Sequence, residues 1–383
     1  MSIKNDSVLV LGAGPAGLAM AARLRRAEIP FEILEASAYV GNAWRNHYDR
    51  LKLHTARDLS HLPFVPFPRE YPEYVTRRQL VDYLEQYART FDLRPHFRTA
   101  AEHLERGPDG RWTVVDQHGE HWTTHQVVVA TGANRRPFAP TYPDRERFDG
   151  TLLHSGDYRN PAPFSGKRVL VIGMGNTGAE IALDLANAAV AVDLSVRSPV
   201  NIVPLEFNGR PTQRTGIVLR RLPNLVGDTL GKLVQRLTIG DLSAYGLPTP
   251  RLSPAAQLRR HGKTPVIDLG TVAAVRAGRI GVRPGVEHFT AEGIRFLDGA
   301  EQAYDAVLFA TGYRAALADL IELPARTLHA NGMPRFRSGS GELVGLHFLG
   351  FDTFANGILR SIRLDSELIL KNIQRALALR SGA

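Results

Sequence analysis

The feature that most constrains the fold of this chain is a glycine fingerprint that occurs twice. Ser7–Leu11 is an apolar run that leads into Gly12-x-Gly14-x-x-Gly17, and Lys167–Ile172 leads into Gly173-x-Gly175-x-x-Gly178 in the same way. A buried strand, a glycine turn and a helix N-terminus form a dinucleotide cradle. The first glycine makes the turn, the second lets the pyrophosphate approach, and the third lets helix and strand pack closely. Two copies predict two Rossmann-type domains and two nucleotides on one chain, which points to electron transfer between them. Pro15, Ala16, Asn176 and Thr177 fall at the helix starts and join the glycines as candidate nucleotide contacts.

The residues at the end of the next strand distinguish the two nucleotides. The second strand of the first unit, Phe31–Leu34, ends in Glu35, about 20 residues beyond the glycines, where an acid accepts from the adenosine ribose hydroxyls. A carboxylate there repels a 2′-phosphate, so the first site is expected to take FAD. The matching strand of the second unit, Ala191–Val196, ends in Arg197-Ser198. A guanidinium pairs with a 2′-phosphate and a hydroxyl donates to it, so the second site is expected to take NADPH; Arg210 and Arg214 are the substitutes if Arg197 is not the partner.

An Ala-Thr-Gly triplet closes each half: Ala130-Thr131-Gly132 after His125–Val129, and Ala310-Thr311-Gly312, with Tyr313 next, after Tyr304–Phe309. Each lets the chain turn beside a nucleotide or cross between domains. Because they bracket the second fingerprint, an α/β architecture of two nested dinucleotide-binding domains is expected. The FAD domain is placed at 1–160 and 306–383, and the inserted NADPH domain at 161–305.

Among the remaining segments, Thr76–Phe91 reads as a Thr-capped helix, Thr99–Val129 as a β meander, and Leu62–Pro68 as an ordered Pro-rich loop over the flavin. Gly216–Leu242 is amphipathic and basic; it either lies on a membrane surface or packs on the insert and roofs an apolar pocket. Pro265–Gly270 and Ile280–Pro284 are expected to be short strands and Leu346–Phe351 the last strand, with Asn356-Gly357 opening a C-terminal helix toward the flavin.

The 383 residues carry no cysteine, which removes disulfides, thiolate metal sites and dithiol redox chemistry, and no metal site is expected. The net charge of +9 attracts anions, but no basic stripe interleaved with aromatics suggests nucleic acid. No apolar run is long enough to span a bilayer and none reads as a signal peptide, so a cytoplasmic protein is expected.

Just ahead of the second fingerprint stands Phe148-x-Gly150-x-x-x-His154-x-x-x-Tyr158. This resembles the signature of the flavin-containing (class B) monooxygenases. Tyr48–His54, Tyr71–Tyr74, Gly173–Glu180, Leu237–Asp241, Gly262–Thr271 and Phe309–Tyr313 look like the plant YUCCA branch, and the likeness covers nearly the whole chain. The resemblance implies an NADPH- and FAD-dependent monooxygenase working through a flavin C4a-(hydro)peroxide. Its partners are a small-molecule substrate and O2, the leading substrate is an aromatic 2-oxo acid such as indole-3-pyruvate, and N- or S-oxygenation is the alternative. A reductase feeding a carrier protein is a third reading, and a homodimer is left open. It also implies that Gly41-Asn-Ala-Trp44-Arg45 lies beside the flavin, although Trp44 fits a core equally well. Leu53-His54-Thr55-Ala56 would occupy the place where many amine- and sulfur-oxidising relatives have an asparagine, and His54 is expected to contact the FAD. His154 and Tyr158 are expected to support the domain junction, and the flavin rather than a side chain is expected to carry the chemistry.

Overall fold

The computed structural model describes residues 7–219, 222–248, 250–329, 331–351 and 357–381. Two five-stranded parallel sheets form its frame. The first runs Leu346–Phe348, Gln126–Val129, Val8–Leu11, Phe31–Glu35, His96–Phe97. The second runs Ile280–Arg283, Ala191–Ser195, Arg168–Ile172, Ala306–Phe309, Thr151–His154.

Parallel strands are covered on both faces, and each central strand here divides its side chains between two cores. Val8 and Val10 face the helix Pro15–Arg26, whereas Leu9 and Leu11 face Trp112, Val114 and Trp122. In the second unit, Val169 and Val171 face the helix Asn176–Asn187, while Leu170 and Ile172 face Phe289, Phe296 and Phe309. Each sheet therefore has a helical layer on one side. On the other lies a three-stranded antiparallel meander: Ala101–Arg106, Trp112–Asp116 and His121–Thr124 in the first unit, and Val286–Phe289, Gly293–Phe296 and Glu301–Ala303 in the second. The C-terminal helix Ile358–Ser381 packs against Pro15–Arg26, tied by Arg23 Nε donating to Ser366 Oγ at 2.9 Å.

Two sequence expectations need correction. Gln126–Val129 is not the last strand of the meander. It lies parallel between Val8–Leu11 and Leu346–Phe348, as suits an apolar run that does not alternate and is buried on both sides. The boundaries at 160/161 and 305/306 cut through the inner unit, because Thr151–His154 and Ala306–Phe309 are strands of the second sheet. The chain crosses between the sheets at an antiparallel ribbon that pairs Arg136–Pro137 with Tyr313–Arg314. The loop 62–68 is ordered, as expected, but by the helix Arg77–Thr90: Tyr83 and Tyr87 donate to the carbonyls of Val65 and Pro63, and Phe67 is buried beside Tyr83.

The stretch 216–242 overlaps two helices, Thr212–Leu219 and Asn224–Thr238. The side chains expected to pack inward do not all do so: Leu230, Leu233 and Leu237 are exposed.

Candidate functional site: a cleft between two glycine cradles

Both fingerprints build the same cradle. Gly12 has φ +110° and Gly173 has φ +102°, a region that side chains other than glycine rarely enter. A Cβ on Gly12 would stand 2.6 Å from the carbonyl oxygen of Ala130, and one on Gly173 would stand 2.8 Å from that of Ala310. Each Ala-Thr-Gly triplet is thus pressed against the first glycine of its own fingerprint. A Cβ on Gly17 or Gly178 would meet the Gly12 or Gly173 carbonyl at 1.8 or 2.0 Å. A Cβ on Gly14 or Gly175, by contrast, meets nothing within 4 Å. The middle glycines open onto free space at helix N-termini that have no side-chain cap and no acid in the first turn. Bare N–H groups and the helix dipole there suit a pyrophosphate.

A cleft of about 2220 Å³ runs between the units. That exceeds the ~300–1,000 Å³ of an ordinary small-molecule pocket and leaves room for more than one ligand. From the first unit, Gly12, Gly14, Pro15, Ala16, Glu35, Trp44, His54, Thr131 and Gly132 line it; from the second, Asn176, Thr177 and Tyr313 do. Gly357 lines it too, whereas Asn356 lies outside the described residues. Gly17 and Gly178 act behind the lining as spacers.

Glu35 is held at the strand end by the amide of Ala13 at 2.6 Å and by the amide and hydroxyl of Ser37 at 2.8 and 2.6 Å. A carboxylate offers about four acceptor sites, so capacity remains for a ribose hydroxyl. The Thr131 hydroxyl is buried with no hydrogen-bond partner among the described residues, at the edge of the same cradle. An unpaired buried hydroxyl and an open glycine turn are what a flavin nucleotide would complete.

Other expected residues are committed to the protein. The Arg45 guanidinium pairs with Glu85 and donates to the Val40 carbonyl, so it braces the helix Arg77–Thr90 and does not line the cleft. Trp44 combines both readings, packing against two cores while lining the cleft. The Asn176 amide accepts from Ile267 N at 2.7 Å and so fastens the strand Val266–Asp268, which pairs with Ile202–Pro204 rather than joining the main sheet. Arg197 and Ser198 stand exposed just past the strand Ala191–Ser195, outside the cleft lining, as do Gly173, Gly175, Thr311 and Gly312. Thr311 donates to the Phe138 carbonyl, and Gly312 O accepts from Phe138 N at 3.0 Å.

The motif Phe148 to Tyr158 builds the junction. Phe148 packs edge-on to Phe289, and a Cβ on Gly150 would stand 2.4 Å from the Phe148 ring. His154 accepts at Nδ1 from Gly156 N (3.1 Å) and donates from Nε2 to Gly312 O (3.0 Å), which fixes one neutral tautomer; burial pushes its pKa down. The Tyr158 hydroxyl donates to Asp184 Oδ2 at 2.8 Å.

Asp184 and Glu180 lie one turn apart on the helix Asn176–Asn187 and meet the loop Tyr48–His54 of the outer unit. Arg50 reaches Asp184 at 3.4 Å, and His54 Nε2 stands 2.6 Å from Glu180 Oε1, which is almost fully buried. Burial, and secondarily the Glu180 charge, push the Tyr48 hydroxyl's pKa upward. Sequence reasoning did not assign Glu180 or Asp184 to the site, because i, i+4 carboxylates on a helix normally read as a solvated face. It also missed Gln213, a buried cleft-lining side chain that accepts from Ala56 N at 2.8 Å.

Comparison with known proteins agrees with this construction. The family model "Flavin-binding monooxygenase-like" matches residues 5–328. A probable indole-3-pyruvate monooxygenase, YUCCA3 of Arabidopsis thaliana, is 35% identical over 356 residues, covering 90% of this chain and 81% of that one. The indole-3-pyruvate monooxygenase YUCCA8 of Oryza sativa subsp. japonica is 37% identical over 366 residues, covering 90% and 86%. Among solved structures, a flavin-containing monooxygenase from Stenotrophomonas maltophilia superposes with a TM-score of 0.72 at 24% identity over 97% and 99% of the two chains. A steroid monooxygenase bound to NADP superposes with 0.74 at 22% identity over 99% and 85%. The paired cradles, the junction motif and these similarities place the chain in the flavin-binding monooxygenase-like family, as an enzyme of the monooxygenase class.

Proposed function

We propose that this enzyme uses FAD and NADPH to cleave an aromatic 2-oxo acid such as indole-3-pyruvate oxidatively, giving the arylacetate. One 2-oxo acid, one O2 and one NADPH with a proton yield one arylacetate, one CO2, one water and one NADP+. The observation that carries the reading is that Gly12 and Gly14 of the first cradle and Asn176 and Thr177, at the helix start of the second, line one shared cleft, so a hydride donor and a flavin can occupy it together. The similarity to YUCCA proteins supplies the substrate class.

Bound flavin, once reduced, supplies the reaction with O2. The chain's own residues bind and exclude water. Gly12, Gly14, Gly17, Glu35, Thr131 and Gly132 would hold FAD, and Gly173, Gly175, Asn176, Thr177 and Gly178 would hold NADPH. Arg197 and Ser198 are free at the strand end to take the 2′-phosphate. The cleft lining is more apolar than polar, with Trp44, Leu51, Leu53 and Tyr313 among its walls, which suits an aryl group and keeps water out. We place the reaction in the cytoplasm.

The test is stoichiometry. Purified yellow protein with NADPH and indole-3-pyruvate is expected to consume O2 and release CO2 in equal amounts, with matching arylacetate. In parallel assays that supply an amine or a sulfide instead, oxygenated product without turnover of indole-3-pyruvate would replace the substrate assignment, and substrate-independent electron flow to a carrier protein would overturn it. In the same assay Arg197→Ala is expected to raise the KM for NADPH by about tenfold, the low end for a charge-assisted contact on an exposed side chain, with NADH hardly changed.

A further inference from the structure

The helix Asn224–Thr238 is oriented opposite to most helices on a protein surface. Gly227, Gly231, Val234 and Gln235 face inward and line the cleft, while Leu225, Val226, Leu230, Leu233 and Leu237 share the outward face at about 100° per residue. Leu225 and Leu237 are 81% and 73% exposed, and Val218 and Leu222 extend the patch. A contiguous apolar face of this kind marks an interaction surface.

The charge around it names the occupant. Residues 210–263 carry ten Lys and Arg against two acids, net +8, out of +9 for the whole chain. Of these, Arg214 is spent on Asp58 and Glu73, and Arg259 on Asp228. Lys232 and Arg236 are exposed and make no ion pair among the described residues, although Lys232 Nζ donates to the Arg251 carbonyl at 2.8 Å; Arg251, Arg260 and Lys263 are also exposed but line the cleft. Lys232 and Arg236 flank the leucine face on the same helix. An apolar face flanked on its own helix by Lys232 and Arg236, within a segment of net +8, matches the headgroup boundary of an anionic bilayer, where leucines insert and cations meet lipid phosphates. A second copy of this chain would bring net +8 against net +8. No helix among the described residues is long and apolar enough to cross a membrane, so the contact is peripheral.

We propose that the outward leucine face of the helix Asn224–Thr238, with the Lys232 and Arg236 that flank it, docks the enzyme on an anionic membrane surface, with the cleft directly behind the docked helix. The inference does not depend on the substrate. The test is co-sedimentation of the full-length holoenzyme with vesicles of phosphatidylcholine alone and of two parts phosphatidylcholine to one part phosphatidylglycerol. Binding to the anionic vesicles is expected, with little to the neutral ones. It should fall steeply between about 0.1 M and about 1 M salt, as the screening length shrinks from about 10 Å to about 3 Å. The variant Leu225→Glu/Leu233→Glu/Leu237→Glu, altered only outside the cleft lining, is expected to keep its flavin and its lipid-free turnover while partitioning at least about tenfold less. Absence of binding to anionic vesicles, equal binding to both vesicle types, or undiminished binding by the triple variant would each overturn the proposal. So would lipid-free self-association that the triple variant abolishes while vesicle binding persists.

Discussion

At the scale of single residues, the cradles separate binding from folding. The three glycines of a fingerprint look alike in the sequence, yet their surroundings differ by several ångströms of free space. Gly14→Ala adds a methyl where nothing stands within 4 Å, so the apoprotein is expected to keep its thermal midpoint while the purified protein loses most of its flavin. Gly17→Ala puts the same methyl 1.8 Å from a backbone carbonyl, and strand and helix must part to accept it. Its apoprotein is expected to melt well below the parent, or not to accumulate in soluble form. Absorbance at the flavin band and calorimetry of the apoprotein measure the two effects separately. Equal losses of stability in both variants would refute the distinction.

At the scale of elements, the junction rests on one helix face. Glu180 and Asp184 of Asn176–Asn187 take His54, Arg50 and Tyr158 from segments outside that helix, so this single face sets how the inner unit sits against the loop 48–54. Tyr158→Phe removes a buried hydrogen bond to a carboxylate, worth about 1.5–3 kcal/mol. The expected outcome is an earlier denaturation midpoint with flavin content unchanged, since Tyr158 does not line the cleft. An unshifted midpoint would mean that Arg50 alone satisfies Asp184. This is also the scale at which the sequence stopped being legible. Cradles are local, and Val8–Gly17 and Arg168–Gly178 carry every residue they need within ten or so positions. Strand membership is not local. Whether Gln126–Val129 continues a meander or enters a parallel sheet is decided by Leu346–Phe348, over 200 residues away, and whether Ala306–Phe309 is outer or inner is decided by Arg168–Ile172. The apolar run itself carries no mark of its partner. For the same reason Gln213 and Glu180 could not be placed in the cleft, because nothing near them in sequence says that the loop 53–56 will arrive beside them.

At the scale of the whole molecule, the closing strand of the outer sheet carries a buried histidine. His347 lies between Gln126 Oε1, 2.9 Å from Nε2, and Ser338 Oγ, 2.8 Å from Nδ1, and burial pulls its pKa down from 6.5 to about 4. Above pH 6.5 neither folded nor unfolded chain protonates it. Between 6.5 and about 4 the unfolded chain takes up a proton that the folded one refuses, so stability falls as pH falls through that window, by about 3 kcal/mol in all. Denaturant titrations across the window are expected to show this decline, and His347→Gln is expected to flatten it whatever its stability at pH 7. A parallel decline in the variant would assign the effect to other groups.

The ribbon that pairs Pro137 with Tyr313 has a consequence for the order in which the protein is made. The inner unit leaves and re-enters its host at adjacent points, so all five strands of the second sheet, from Thr151 to Phe309, are synthesised before the outer sheet receives its last strand at Leu346 or its covering helix at Ile358. On the ribosome, the inner unit can close while the outer unit still waits as an unfinished sheet with the edge of Gln126–Val129 unpaired. The outer sheet, whose strand Val8–Leu11 precedes every strand of the inner one, is thus completed last, and the interval during which this chain is open to misassembly is set by the length of the insert.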